Sequence, residues 1–212
     1  MSYSFLIAVL LGVAGSYLCY FRSSLLSHNI HELATEKLKW VWSICTCIVV
    51  LALWWLFDVY LEASLPLLFF SILVFFIACI DAYSYIIPDR LLIIGAIIPV
   101  ISLIRNVEFE PILSAISVII IGGLVYYLSK RFWDKTAFGI GDIKLIAVIA
   151  LFSGWEFLWI LYFAIILGGL FALTGILFNK LKRSSKIPFA PFLFLAFVIH
   201  YLAPGLLHLC IR

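Results

Sequence analysis

Charged residues are scarce in this 212-residue chain: only 12% of its residues are Asp, Glu, Lys or Arg, whereas 66% are hydrophobic. A soluble domain is about half apolar and about one quarter charged. So much apolar surface cannot be buried in one aqueous core, which excludes an ordinary soluble protein and predicts that the lipid bilayer is the solvent. The net charge of +3 is too small to indicate a nucleic-acid partner.

The five cysteines form no recognisable metal-binding or disulfide pattern. None belongs to a CxxC pair, and all lie in or beside apolar runs, where free cysteine behaves as a small hydrophobe. A serine-hydrolase motif, an HExxH motif and a Cys–His pair at one membrane depth are absent as well. His28, His31 and Glu32 lack a further nearby ligand, so we interpret them as a solvated loop and expect no metal site.

Apolar runs separated by short polar breaks predict an all-α polytopic membrane protein with about eight transmembrane helices, forming a single domain over residues 1–212. The first run has no basic region before it and is long enough to span, so we expect a retained helix. Two runs are shorter than the ~20 residues of a perpendicular span, which predicts short helices beside water-filled protein or a locally thinned bilayer. The predicted spans are 3–21, 40–60, 65–82, 90–104, 111–129, 142–155, 157–178 and 187–208.

The distribution of Lys and Arg predicts the orientation of these spans. If both termini are on the periplasmic side, the cytoplasmic loops hold twelve of the 14 basic residues, and the outer side holds only Arg105 and Arg212. This bias also supports the even number of spans.

Two aspartates stand at cytoplasmic ends of predicted spans. Asp81 ends the span 65–82 and Asp142 begins the span 142–155, so residues far apart in sequence are expected at one membrane depth. An ionisable residue in such a place is a functional hypothesis by default. Capping is the alternative: Asp142 would be an ordinary N-cap, whereas the charge of Asp81 opposes the dipole of the helix that it ends. We predict that the two form one catalytic pair.

Two neighbouring carboxylic acids can cleave a peptide without a metal or a covalent intermediate. They share one proton, so the ionised partner can take a proton from water while the protonated partner polarises a carbonyl and protonates the leaving amine. Gly139 and Gly141 precede Asp142, and we expect a turn with positive φ there together with a close approach of another group to the backbone.

Further residues near these acids are candidates for shaping the site. Asp89 follows Pro88 and is predicted to cap the span 90–104. Lys144 fits the positive-inside bias; alternatively, it tunes a nearby carboxylate or contacts substrate. Pro188 and Pro191 open the last span, where proline is structurally ordinary.

Three segments together resemble the type IV prepilin leader peptidases, which are membrane aspartic proteases of the GxGD class. The segments are Asp81 with Ile87-Pro88-Asp89, then Gly139-Ile140-Gly141-Asp142, then Ile187-Pro188-Phe189-Ala190-Pro191-Phe192. Gly15-Ser16-Tyr17-Leu18 is also similar to the start of such enzymes.

The resemblance implies a substrate and two catalytic residues. The substrate would be a type IV prepilin, or a pseudopilin of a type II secretion system, whose short basic leader is removed after a glycine at the cytoplasmic face. By position, the catalytic aspartates are Asp81 and Asp142. Many relatives also carry a four-cysteine zinc domain and methylate the new N-terminus. The corresponding loop here lacks cysteine, so no zinc is expected, and S-adenosylmethionine is expected only if methylation is retained.

Two functions of other classes also fit the acids. A small proton-coupled transporter would use them as relay groups, although no ionisable residues continue across the predicted bilayer. A scaffold for a secretion or pilus machine would use them only as helix caps. The sequence does not indicate an oligomeric state.

Overall fold

In the part of the chain that it describes, the computed structural model contains helices joined by short loops and turns, and no strand. That part comprises residues 52, 65–106, 108–133, 139–179 and 185–210. We number its helices in chain order, and a short 3₁₀ turn, Gly154–Glu156, joins the fourth to the fifth. The helices are α1 Leu65–Ser84, α2 Asp89–Asn106, α3 Glu110–Trp133, α4 Ile140–Ser153, α5 Phe157–Leu177 and α6 Ala190–Cys210.

These helices follow, in order, the last six predicted spans. The predicted spans 3–21 and 40–60 lie outside the described residues, apart from Ala52. Within the described ranges, three helical segments are long and apolar enough to cross a membrane: Pro66–Ser84, Glu110–Phe132 and Ile140–Leu177. The all-helical class is therefore confirmed, whereas the number of eight spans and the sides of the termini stay predictions.

The chain forms two compact units, and the larger, Leu73–Ala203, contains every candidate site residue. In this unit α6 packs against α1 through Phe75 and Phe194, whose ring centroids lie 5.2 Å apart. It packs against α4 through Phe152 and the fully buried Phe197, at 6.1 Å. The smaller unit contains residues up to Ile72 and from Pro204 onward. The prediction of a single domain stays a prediction.

Helices α3 and α4 approach closely at two levels. A Cβ added to Gly122 would lie 2.9 Å from Cγ2 of Ile143, so only glycine permits this approach. Further along, the buried Ser114 hydroxyl donates to the carbonyl of Ala150 at 2.9 Å. A hydrogen bond of this kind satisfies a polar group that would be costly to bury alone.

The outer surface of this unit is apolar. Three consecutive side chains of α3, Ile119, Ile120 and Ile121, are each more than half exposed. An apolar face of this kind is unfavourable in water and suits a lipid surround. The surface therefore agrees with a membrane protein.

Candidate active site

Asp142 belongs to the first turn of α4. Gly139 is the N-cap, with φ −70° and ψ 148°, and its N–H donates to Oδ2 of Asp142 at 3.1 Å. This bond is the backbone half of a capping box, in which the third helical residue satisfies the N–H of the cap. A carboxylate is also favoured at this end of a helix by the helix dipole. Gly139 is therefore the N-cap that the capping interpretation placed at Asp142, and Asp142 instead caps the helix start from the third helical position.

The two glycines before Asp142 allow neighbouring side chains to approach the backbone closely. The expectation of a positive φ is wrong, because Gly139 is extended and Gly141 is helical. A Cβ on Gly141 would lie 3.1 Å from Cβ of Ile87, and a Cβ on Gly139 would lie 3.1 Å from Oδ2 of Asp142. The missing side chain of Gly141 thus allows the loop containing Ile87 to pack against the first turn of α4, and that of Gly139 leaves room for the carboxylate of Asp142.

Asp81 lies in the last turn of α1 and is only 5% exposed. Its Oδ2 accepts a hydrogen bond from the N–H of Ala190, the first residue of α6, at 3.1 Å. The backbone of Phe189 also hydrogen-bonds to this carboxylate. Asp81 is therefore poorly placed for the dipole of its own helix and well placed for that of α6, since a helix N-terminus attracts anions.

The proline segment determines which N–H groups reach Asp81. Pro188 and Pro191 have no N–H to donate, so the two residues between them, Phe189 and Ala190, are the ones that bond to the carboxylate. Pro191 is the second residue of α6, a position in the first turn where proline is well tolerated. Sequence reasoning named both prolines but missed Ala190, because a backbone donor leaves no signal in side-chain chemistry.

The structure brings Asp81 and Asp142 together. The two carboxyl groups lie within electrostatic range of each other, although they belong to different helices. Asp81 is buried, whereas Asp142 is partly accessible. The end of α1 and the beginnings of α4 and α6 therefore meet around two acidic side chains.

Lys144 pairs with Asp89 rather than with either of these acids. Its Nζ lies 2.7 Å from Oδ1 of Asp89, and the side chains are 49% and 67% exposed. Asp89 is the first residue of α2, and the carbonyl of Pro88 accepts the N–H of Leu92 at 3.3 Å. Pro88 therefore occupies the cap position that we expected for Asp89. An ion pair this exposed contributes only about 0–1 kcal/mol. It shows that the starts of α2 and α4 lie next to each other at one end of the unit.

Within the described ranges, no group of three or more His, Cys, Asp or Glu side chains could hold a metal ion. His28, His31 and Glu32 lie outside those ranges. Their interpretation as a solvated loop stays a prediction.

Comparison with known proteins places this chain in a protein family. The sequence profile of the type IV leader peptidase family matches residues 68–173, which is half of the chain. The chain belongs to the type IV leader peptidase family. The match includes Asp81 and the GxGD segment of this family member and ends before its proline segment.

Three relatives carry the name prepilin leader peptidase/N-methyltransferase. The protein from Dichelobacter nodosus is 34% identical over 122 residues, covering 55% of this chain and 41% of the relative. The Stutzerimonas stutzeri protein is 27% identical, covering 55% and 42%, and the Haemophilus influenzae protein is 38% identical, covering 43% and 38%. The family member thus spans about two fifths of the length of these relatives. No solved structure matches it.

Proposed function

We propose that this protein is a membrane-embedded aspartic endopeptidase that removes the short basic leader from type IV prepilins or pseudopilins. The observation that carries the proposal is the meeting of Asp81 and Asp142 at one end of the helical unit. Membership of the type IV leader peptidase family supports the same chemistry. The bias of Lys and Arg supports an active site that faces the cytoplasm, and the bacterial relatives support a location in a bacterial inner membrane.

The mechanism uses the two acids as one unit. One carboxylate, ionised, takes a proton from a water molecule, and the oxygen of that water attacks the scissile carbonyl. The other, protonated, donates to the carbonyl oxygen, and a proton then passes to the leaving amine as the C–N bond breaks. The N–H of Ala190 fixes Asp81, and the N–H of Gly139 fixes Asp142. These bonds hold both acids in position before the substrate arrives, which is how preorganised groups lower a barrier.

Proteolysis by this route requires no bound cofactor. The relatives' names also include N-methyltransferase. If this chain retains that second activity, S-adenosylmethionine would be its methyl donor, since it is the donor that the family resemblance implies.

One observation favours a different function. Both acids accept backbone N–H bonds at helix N-termini, which is what a scaffold with purely structural aspartates would require. Asparagine caps helices about as well as aspartate does, but it cannot exchange a proton. Replacing each acid by asparagine therefore separates the two functions.

We expect Asp81→Asn and Asp142→Asn each to lower the rate of prepilin cleavage by at least about 10²-fold, the usual contribution of a general acid or base. Purified protein in liposomes would be incubated with a candidate prepilin, and the product's N-terminus would be sequenced. Both variants should insert into membranes like the parent protein. Glu108→Gln, at an exposed carboxylate in the loop between α2 and α3, is the control and should cleave normally. Normal cleavage by either aspartate variant would show that the two acids are not the catalytic pair, whereas a parent protein that does not cleave would support the scaffold instead.

A further inference from the structure

Tyr85, in the loop between α1 and α2, has a backbone conformation that large side chains rarely adopt. Its φ is 54°, and within the described ranges Asn179, with 55°, is the only other non-glycine residue with a positive φ. Asparagine tolerates this left-handed region, whereas a bulky residue is strained there. Glycine would adopt the same conformation without strain. The turn itself therefore does not explain why tyrosine stands at this position.

Packing inside the protein does not explain the side chain of Tyr85 either. The residue is 55% exposed, close to the 58% of Tyr83 in the last turn of α1. An aromatic ring that stabilises a core is mostly buried. Strained backbone conformations cluster at functional sites, where the surrounding structure maintains them. An exposed ring on a strained backbone thus indicates contact with a molecule outside the chain.

The segment that contains Tyr85 runs from one candidate acid to the other. The N–H of Tyr85 donates to the carbonyl of Asp81 at 2.8 Å. Tyr85 thus lies one turn, or about 6 Å along the helix axis, beyond Asp81. Further along the same loop, Ile87 packs against Gly141, the residue before Asp142. Tyr85 therefore stands between the points at which this segment meets the two acids.

A peptide is the partner that this position favours. A peptide that is cut between Asp81 and Asp142 must pass the segment that joins them, so a side chain exposed on that segment lies beside the peptide. Tyrosine is enriched where proteins bind other chains, because its ring supplies a large, rigid contact area at a small entropy cost. The neighbouring Ile86 is also 55% exposed. The surface offered to the peptide here is therefore apolar and aromatic, which suits apolar side chains.

We propose that the ring of Tyr85 binds apolar side chains of the peptide substrate next to the bond that Asp81 and Asp142 cleave. The proposal rests on the proposed function and makes Tyr85 a substrate-binding residue. It also accounts for the strained backbone, since glycine would suit the turn better but would offer the substrate no ring.

The variant Tyr85→Gly separates the turn from the ring. Glycine keeps the left-handed conformation and removes its strain, so the melting temperature should equal or exceed that of the parent protein. Because the apolar contact is lost, we expect KM for a full-length prepilin to rise at least about tenfold. The value of kcat should change little, as for a loss of uniform binding. Tyr85→Phe keeps the ring and should have a KM close to that of the parent.

Two positions provide matched controls. Asn179→Gly makes the same kind of backbone change just after α5. Tyr83→Ala removes a ring that is about equally exposed at the same end of α1. Tyrosine is also favoured at membrane–water interfaces, and a loss of interfacial anchoring would affect Tyr83→Ala as well. Both controls should keep the parent KM.

Four results would overturn the role of Tyr85 in an active parent protein: a parent-like KM in Tyr85→Gly, an equal rise in either control, a KM in Tyr85→Phe as high as in Tyr85→Gly, or a lower melting temperature in Tyr85→Gly. The last would show that the ring stabilises the fold. A parent protein that cleaves no prepilin would overturn the proposed function together with this role.

Photocross-linking would identify the molecule that contacts position 85. Benzoylphenylalanine, a photoreactive aromatic residue, would replace Tyr85 or Tyr83 in an Asp142→Asn background that leaves the substrate uncut. We expect a cross-link to the prepilin near its cleavage point from position 85, and much less from position 83. Adducts with lipid alone, or with a second copy of this chain, would contradict the assignment.

Discussion

The charge of Asp81 is unfavourable at the end of its own helix but is stabilised by the start of another helix. It ends α1, where the dipole disfavours an anion, but its carboxylate accepts the N–H of Ala190 at the start of α6. A buried polar group without such a partner would cost roughly 1–3 kcal/mol. Asp81 does therefore cap a helix, but not its own. It caps α6, which begins 109 residues later.

Gly141 provides a test of the close approach at the GxGD turn. We expect Gly141→Ala to lower the cleavage rate about tenfold or more, because the new Cβ lies 3.1 Å from Cβ of Ile87 and a shift of about 1 Å in a catalytic group can cost up to about 10²-fold. Thermal stability should change less, since the Ile87 loop can move by a few tenths of an ångström. Cleavage rate and melting temperature would be measured together.

Gly169→Ala is the corresponding control, because an added Cβ there meets nothing within 4 Å. Parent-like cleavage by Gly141→Ala would show that this contact does not position Asp142. A loss of rate in both variants would show that the effect is not specific to the turn.

At the residue level, the sequence predicts the candidate acids better than it predicts the groups that bond to them. Asp81 and Asp142 stand out because carboxylates are rare in apolar runs. Two contacts depend on how helices that are distant in sequence pack: the pairing of Lys144 with Asp89 and the hydrogen bond from the N–H of Ala190. A local sequence pattern cannot predict such packing. The positive φ expected at the glycines was wrong because the missing Cβ serves packing against Ile87 instead.

The positions of the six described helices were largely predictable from the sequence, because apolar runs and polar breaks determine where membrane helices begin and end. The predicted span 142–155 corresponds to α4, Ile140–Ser153, and the span 187–208 to α6, Ala190–Cys210. The joint between α4 and α5 was less predictable. It is a 3₁₀ turn that starts at Gly154, whose φ of 59° suits glycine.

The contact between α3 and α4 gives a prediction about two adjacent glycines. Gly122→Ala would place a Cβ 2.9 Å from Cγ2 of Ile143, and this β-branched side chain has little rotamer freedom in a helix. We expect a loss of about 1–3 kcal/mol, the usual cost of overpacking. Gly123→Ala should be neutral or stabilising by up to about 1 kcal/mol, since it gains helix propensity without a clash.

Thermal unfolding in one detergent would compare the two variants with the parent. Ile143→Ala should recover part of the loss in Gly122→Ala, because it removes the two nearest atoms and keeps only the Cβ, at 3.6 Å. Equal melting temperatures for the two glycine variants would mean that α3 and α4 are not held together at this point.

The larger unit as a whole has two distinct ends. The acidic pair, the prolines and the Asp89–Lys144 ion pair are at one end, where α1 finishes and α2, α4 and α6 begin. Elsewhere, His200 of α6 contacts Glu156 of the 3₁₀ turn at 3.1 Å, and Glu110 lies beside Gly154. The site therefore occupies one end of a helical unit whose sides are apolar, as expected for chemistry at a membrane surface.

Single cysteines test how this unit crosses the membrane. Between Phe109 and Lys186 the sequence predicts three spans, so the two positions should be on opposite sides. Both side chains are exposed. With the five native cysteines replaced, a membrane-impermeant maleimide should label Phe109→Cys in spheroplasts and Lys186→Cys only in inverted vesicles. Reversed labelling would contradict the predicted orientation. Labelling of both from one side would mean that one segment fails to cross, and α4 would be the candidate, because its 14 residues extend only about 21 Å against a hydrocarbon core of about 30 Å.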